Sequence, residues 1–336
     1  MATEEFLVED AATPPDPIKV VAEKKQKHVS FSQYAKWLKC PQDWKLSYID
    51  KLSPYDSTIH TVFGTAIHGA IQAYLKILYT VGATEADEFD TIGEFKKGYK
   101  KELLQLKIAT PEQEKLSEEE LKSLKLVTEA TIAEFESDGK TILNHMLDYS
   151  TRTKHFPSKR YELVGIELPL EIPLRKSTLL YKGFLDIVLK DKQTNKILIL
   201  DFKTSTNGWN KYQKVDRTKI DQLLLYKRFY SQTFKVAMDE IEVEFFVLKR
   251  KLMEDVTFPQ QRIQRISPPD GKKSMAEVET SFLDFIKSGF DDQGNYNKDG
   301  AFPKTPGKAK KNCKYCFFKT HKNEKGELYC NGKEDK

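Results

Sequence analysis

The sequence is poor in cysteine and has no long apolar run, and each shortage excludes a class of protein. Four cysteines in 336 residues are too few for the disulfide framework of a secreted scaffold. No stretch reaches the ~18 consecutive apolar residues of a membrane-spanning helix. The acidic start MATEEFLVED carries neither the basic nor the apolar block of a signal peptide. Glycine (16) and proline (14) are too sparse for a collagen-like or low-complexity chain. No G-x-x-x-x-G-K-[ST] loop is present, which excludes an NTPase or helicase motor, and no G-x-S-x-G marks a serine nucleophile. Neither charge sign dominates: 55 Lys and Arg against 50 Asp and Glu leave +5, which permits a polyanionic partner without identifying one. The expectation is a protein without a membrane partner, in the reducing cytoplasm of a bacterial or phage-infected cell, or in a eukaryotic nucleus or mitochondrion.

What remains is a globular composition, 39% hydrophobic, 31% charged and 11% aromatic. Residues 1–28 combine Pro14, Pro15 and Pro17 with Lys24, Lys25 and Lys27 and show no apolar period, which predicts a flexible arm ahead of a single domain over 29–336. Ser30 or Ser32 can cap a helix carrying Tyr34, Trp37 and Leu38, with Cys40-Pro41 interrupting it before Trp44, Leu46 and Tyr48. Ile67, Ile71, Tyr74 and Leu78 form a stripe at helical spacing over 61–79, with His68, Gln72 and Leu75 on the adjacent face. Gly64, Ala66 and Gly69 would let that helix approach a sheet closely. About 88–150, rich in Lys, Glu and Leu, predicts three inserted helices without assignable chemistry. Strand character follows from Tyr161 through Leu170, at Leu179–Leu189 and at Ile197–Phe202. A helix over 218–230, strands at Ile241–Leu248 and Arg262–Ile266, and a helix over 275–286 complete a mixed α/β pattern.

The tripeptide Asp-x-Lys occurs at Asp43, Asp138, Asp201 and Asp270, so context must separate the four. Asp43 lies in a helical stretch, and Asp138-Gly-Lys140 and Asp270-Gly-Lys272 read as turns. Only Asp201-Phe202-Lys203 ends an apolar strand, ILIL, where charge is costly unless paired or metal-bound. Period two puts Asp201 and Lys203 on one face. If 191–196 is a hairpin loop, pairing Lys190 with Ile197 sets Asp186 of GFLDIVL opposite Asp201, with Cβ atoms about 4.5–5.5 Å apart. Carboxylates that close repel unless one is protonated or a cation lies between them, and Mg²⁺ or Mn²⁺ suits oxygen ligands. The residues therefore point to metal-dependent hydrolysis, with Lys203 orienting water or stabilising developing charge. A plain surface hairpin with solvated charges is the competing reading.

Two further elements carry matching groups. His68 sits in FGTAIHG, and Gln222 and Tyr226 in DQLLLYKRFY are four apart on one helical face. The order His68, Asp186, Asp201-x-Lys203, Gln222-x-x-x-Tyr226 resembles the RecB-like branch of the PD-(D/E)xK nuclease superfamily. That resemblance implies a restriction-endonuclease-like α/β core, a mixed central sheet flanked by helices. It implies Asp186 and Asp201 as metal ligands, the Phe202 backbone carbonyl as a further one, and His68 as the helix-borne ligand. It implies Lys203 as the catalytic lysine, with Gln222 and Tyr226 organising the site and contacting the strand being cut. The family often carries an acidic residue four after its histidine, where this chain has Gln72; Glu167 in VGIELPL is the candidate substitute.

Cys313-x-x-Cys316 has the spacing of a metal chelate, and Cys330 and Cys40 complete a set of four with none left over. One cysteine before the histidine motif and three near the C-terminus resembles the RecB-type nucleases with a structural [4Fe–4S] cluster, among them CRISPR-associated exonucleases and helicase–nuclease subunits. The resemblance therefore implies a staple joining about 304–330 to the N-terminal region. The gap from Cys316 to Cys330 is longer than usual and holds His321, so a Zn²⁺ site of Cys313, Cys316, Cys330 and either Cys40 or His321 stands as the alternative.

Lys304, Lys308, Lys310, Lys311 and Lys314 interleave with Tyr315, Phe317 and Phe318, and the segment after Lys203 adds Trp209, Lys211, Tyr212 and Lys214. Lysines neutralise phosphates and aromatics stack on unpaired bases, a mixture that suits single-stranded DNA. The combined expectation is a DNA exonuclease acting on single-stranded or unwound ends in repair, recombination or phage- or CRISPR-type processing, with a helicase or recombination protein as partner. A weakly catalytic nucleic-acid-binding or assembly protein on the same fold is the alternative.

Overall fold

The structure is a computed structural model that describes residues 27–53, 57–174 and 179–333. Residues 1–26, most of the expected arm, lie outside the described residues. His28 does not belong to that arm: with Val29 it forms β1, which pairs in parallel with Leu180 and Tyr181. Helix α1 (Phe31–Lys39) ends at Cys40, and Pro41, whose ring fits a first helical turn, opens α2 (Pro41–Trp44), continued by a π-helical turn over Lys45–Ile49. Ser30 occupies the N-cap position of α1 but its side chain makes no capping bond.

Helix α3 (Ile59–Thr80) starts at a reciprocal cap in which Thr58 and Thr61 bond each other's backbone N–H. The inserted stretch folds as α4 (Ala83–Glu88), α5 (Thr91–Leu103), β2 (Lys107–Ile108), α6 (Glu118–Leu124), β3 (Leu126–Val127), α7 (Glu129–Leu147) and α8 (Tyr149–His155). Asp138-Gly-Lys140 is therefore not a turn but the middle of α7. Gly139 is there because a Cβ would fall 2.2 Å from the Phe95 ring, and Asp138 is buried against Arg250 (2.5 Å) and Lys251 (2.9 Å). Close packing and a buried ion pair thus override the local turn preference.

The sheet is built from β4 (Tyr161–Pro173), β5 (Leu180–Asp191), β6 (Ile197–Ser205), β7 (Ile241–Lys249) and β8 (Ile263–Ile266), together with β1. Between them, α9 (Arg217–Phe234) follows β6, α10 (Lys272–Gly289) follows β8, and the short α11 (Phe317–Thr320) lies near the C-terminus. Strand order is β1-β5-β6-β7-β8 with β4 on the other edge of β5. Edge strand β4 tolerates Pro169 and Pro173, whereas residues 197–200 of β6 and 245–248 of β7 bury apolar side chains on both faces.

Two cores enclose the sheet. One gathers Leu185, Ile199, Leu223, Phe229 and Phe282 between the sheet and α1, α9 and α10. The other packs Ile67, Ile71, Phe95, Phe135 and Phe202 between the sheet and α3, α5 and α7. Of the small residues on α3, Gly64 lies against Thr204 of β6, Ala66 meets Gly98 of α5 instead, and Gly69 faces open space.

Asp221 on α9 is fully buried and ties the first core together: it accepts from the Tyr34 hydroxyl of α1 (3.1 Å) and from Arg217 (2.5 and 2.9 Å). Asp221→Ala leaves both donors without their acceptor and is expected to cost about 1–3 kcal/mol in denaturant unfolding, and Tyr34→Phe about half as much.

Candidate active site

One edge of β5 is split, and the split positions the site. Leu180 and Tyr181 pair with β1, and Ile187–Lys190 pair with β6 in the order Ile187↔Leu200 to Lys190↔Ile197. Between these ladders, residues 182–186 have no strand partner on that edge among the described residues. One register step past Ile187 stands Asp186, opposite Asp201. Its carboxylate replaces a ladder bond by accepting from the Phe202 N–H at 2.7 Å. Asp201 and Lys203 lie on the α9 side of β6, and the lysine ammonium is 2.5 Å from the Asp201 carboxylate. His68 comes from α3 on the opposite side, its Nδ1 3.9 Å from Asp186. Groups from both layers thus converge where β5 leaves β6.

Burial and mutual repulsion dominate the electrostatics. Burial first, and then the Asp201 charge, push the Asp186 carboxyl up to about 8 against the pull of Lys203 and the Phe202 N–H. Burial also raises Asp201, with Lys203 opposing it. Burial and the Lys203 charge lower His68 to about 3, so its imidazole is neutral, and its Nε2 is buried without a hydrogen-bond partner. Two opposed carboxylates and a neutral imidazole with an unused nitrogen fit a divalent cation better than any arrangement of their own protons. Among the described residues, no three His, Cys, Asp or Glu side chains stand already closed as a metal cage.

Glu167 joins this group. It faces Asp186 across the β4–β5 pairing, where the ladder skips from Ile166↔Ile187 to Leu168↔Leu185. Its φ of +47° is unusual for a non-glycine residue inside a strand. Both strands switch faces there: Ile166 and Ile187 pack toward α3, Leu168 and Leu185 toward α9. Gln72 of α3 donates to the Glu167 carboxylate at 2.6 Å and reaches the Asp186 carbonyl at 3.5 Å. The carboxylate beside Asp186 here is a strand residue, and the helix position four after His68 supplies an amide that holds it.

Gln222 donates to the Tyr226 hydroxyl at 3.1 Å, and that oxygen also accepts from the Phe184 N–H in the unpaired part of β5. Gly183 lies under the ring, where a Cβ would come within 3.0 Å of it. Burial, followed by the Asp201 charge, holds the Tyr226 hydroxyl well above its ordinary pKa. The neighbouring Tyr181 hydroxyl, buried and unpartnered, was not legible in the sequence, where it reads as a core aromatic.

The expected strand contacts separate. Trp209 is no free stacking surface: it is buried, packs on Phe245 (centroids 4.9 Å) and is fixed by its backbone N–H to Gln264 (2.8 Å). Lys211 and Tyr212 are exposed, the lysine 5.1 Å from the tyrosine ring. Lys310 and Lys311 are exposed beside Asn312 and Cys313, at the cysteine pocket and not in the carboxylate group.

Cys40, Cys313, Cys316 and Cys330 line one pocket. Backbone N–H groups aim at the sulfurs: Thr305 at Cys40 and Gly332 at Cys330, both at 3.4 Å, and Phe318 and Lys319 at Cys316. Such donors stabilise thiolates bound to a metal. His321 is not part of that lining; its Nδ1 is held by the Phe317 carbonyl at 2.9 Å and its ring stacks on Phe317.

A carboxyl raised in the folded state stabilises below its unfolded pKa, and that contribution is lost as pH rises through its folded value. For Asp186 the window runs from about pH 4 to about 8. In chelator-treated protein, Asp186→Asn keeps an acceptor for Phe202 and removes the charge. The variant is expected to be more stable than wild type, by an advantage that grows on the order of 1–3 kcal/mol between pH 5 and pH 8. Denaturant midpoints across that range measure it, and added Mg²⁺ should narrow the gap by stabilising wild type alone.

Comparisons with known proteins give one family. No curated protein is significantly similar to the chain. Among solved structures, a crystal structure of a "Putative exonuclease" from Eubacterium rectale is similar at 12% identity and a TM-score of 0.44, over 80% of this chain and 86% of that one. The family model of the PD-(D/E)XK nuclease superfamily matches residues 28–321, from β1 past the last helix, including every carboxylate described above. The chain belongs to the PD-(D/E)XK nuclease superfamily.

Proposed function

We propose that the protein is a Mg²⁺- or Mn²⁺-dependent deoxyribonuclease, an exonuclease acting on single-stranded or unwound DNA ends. The observation that carries this reading is the opposition of Asp186 and Asp201 in the fork of β5 and β6, with Lys203 and the unpartnered His68 nitrogen beside them. Nucleases of this superfamily generally use divalent metals such as Mg²⁺. Asp186, Asp201, His68 and the Phe202 carbonyl would hold the ion here, and Glu167 adds a carboxylate at its margin. When bound, the cation supplies Lewis acidity toward the scissile phosphate.

The chain's own groups account for the rest. The Lys203 ammonium, fixed by Asp201, offers a positive charge where negative charge develops and a donor to orient the attacking water. Burial, with the Lys203 charge second, keeps His68 neutral, leaving the imidazole lone pair free to ligate. Gln222 and Tyr226 fix the unpaired stretch of β5 just before Asp186. Lys211 and Tyr212, exposed after β6, supply a phosphate contact and a stacking ring to the incoming strand.

The four cysteines would hold a [4Fe–4S] cluster, stapling the C-terminal segment to the end of α1. The support is their common pocket, their N–H donors, and Asn312, which bonds the Lys39 carbonyl at 2.9 Å beside Cys40. A helicase or recombination protein that supplies unwound ends is the partner this chemistry calls for, in DNA repair, recombination or phage- or CRISPR-type processing.

Anaerobically purified protein is expected to shorten end-labelled single-stranded DNA with Mg²⁺ or Mn²⁺ and not with EDTA. Asp201→Ala should reduce that rate on the order of a thousandfold or more while leaving DNA binding within a fewfold of wild type. Cleavage by Asp201→Ala at the wild-type rate would refute the site. Iron and sulfide analysis should give roughly four iron atoms per chain, lost in Cys313→Ser. Zinc in their place would replace the cluster with a Zn²⁺ staple.

A further inference from the structure

The unpaired stretch of β5 presents one aromatic ring outward. Phe184 is 55% exposed, two residues before Asp186, and sits opposite Pro169 of β4. Its neighbours Gly183 and Leu185 turn toward α9, Gly183 against Tyr226 and Leu185 into the core. Phe184 therefore lies on the other face, with Glu167, Pro169, Glu171 and Lys182. A single exposed phenylalanine is ordinary on a protein surface. This one differs because its backbone is fixed: its N–H, which has no strand to bond, is taken by Tyr226, and Tyr226 is held in turn by Gln222.

The charge on this face decides what can approach it. Glu167 and Glu171 are carboxylates, and Lys182 is committed to Glu171 at 2.7 Å. Lys182, so paired, is not left for a phosphate, whereas a phenylalanine ring offers the flat side of a base a stacking surface indifferent to base identity. Bases inside a duplex already stack on each other and have no free face.

We infer that Phe184 is the stacking platform for an unpaired base next to the phosphate held at Asp186 and Asp201, and that it biases the site toward single strands. The inference rests on the nuclease reading above. The Gln222–Tyr226 pair then acts as a positioning device, holding Phe184 and Asp186 at a fixed spacing along β5.

The test is fluorescence anisotropy with a short labelled oligo(dT) and a blunt duplex, in Ca²⁺ so that binding is read without turnover. Phe184→Ala should weaken oligo(dT) binding about tenfold and duplex binding little. Phe184→Trp should restore it. Stacking releases no counterions, so the slope of log affinity against log salt should stay at the wild-type value. Mn²⁺ affinity, read by electron paramagnetic resonance, should be unchanged because the variant leaves every ligand in place. Wild-type affinity of Phe184→Ala for oligo(dT), or an equal loss for the duplex, would overturn the inference while leaving metal-dependent cleavage by the wild type intact. A wild type that neither binds nor cuts DNA would overturn this inference and the nuclease reading together.

Discussion

Two carboxylates held face to face in a buried fork are the constraint around which the rest is arranged. Asp186 and Asp201 belong to adjacent strands one register step beyond their last ladder pair, and burial makes their charges costly. The compensations are local. Lys203 pairs with one carboxylate and the Phe202 N–H bonds the other, which lowers the cost without removing it. Such a site loses stability as pH rises toward about 8, and a cation held by the same two side chains would offset that loss, which couples stability to the proposed metal.

Making that fork requires an opened sheet. A continuous β5–β6 ladder would satisfy every backbone group and leave no room between the carboxylates. Here the ladder stops at Ile187, and the freed groups are taken by side chains: Asp186 accepts from Phe202, and Tyr226 accepts from Phe184. Glu167 bends the same ribbon from the other edge, where its positive φ turns the strands from one core to the other. The strain at Glu167 and the gap in β5 are thus two aspects of one distortion, and Gln72 secures it from α3.

The sequence carried the sheet and its register well, because period-two alternation and a six-residue polar loop leave little freedom: pairing Lys190 with Ile197 is the register found. It carried the long helices to within a few residues, because their apolar stripes are long. It failed where a long-range contact decides. Asp138-Gly-Lys140 has turn composition, but Phe95 needs the glycine and Arg250 needs the carboxylate, so the segment is helix. Trp209 sits in a lysine-rich loop that reads as a strand contact, yet Gln264 from a distant strand draws it onto Phe245. The positive φ of Glu167 has no local signature, since the residues around it alternate normally.

Among the described residues, the segments around Trp44 and over 290–302 meet in a cluster that bears on what the proposed cysteine-bound metal would add. Trp44 packs on Trp37, Phe285, Phe290, Tyr296 and Phe302, so α1 and α2 are already tied to the segment after α10 by aromatic burial alone. Beyond Phe302 that support ends. Over 303–333 the only buried aromatic is Phe318, the helices are single turns, and Ala309 and Lys310 both hold positive φ. A segment with so little apolar surface offsets little of its own conformational entropy, and the proposed metal cross-link to Cys40 would add to the Asn312–Lys39 hydrogen bond in holding it against α1. Loss of the proposed cysteine ligands should therefore loosen this segment and leave the sheet, the fork and its carboxylates folded, which would separate the staple's role from that of the carboxylate site.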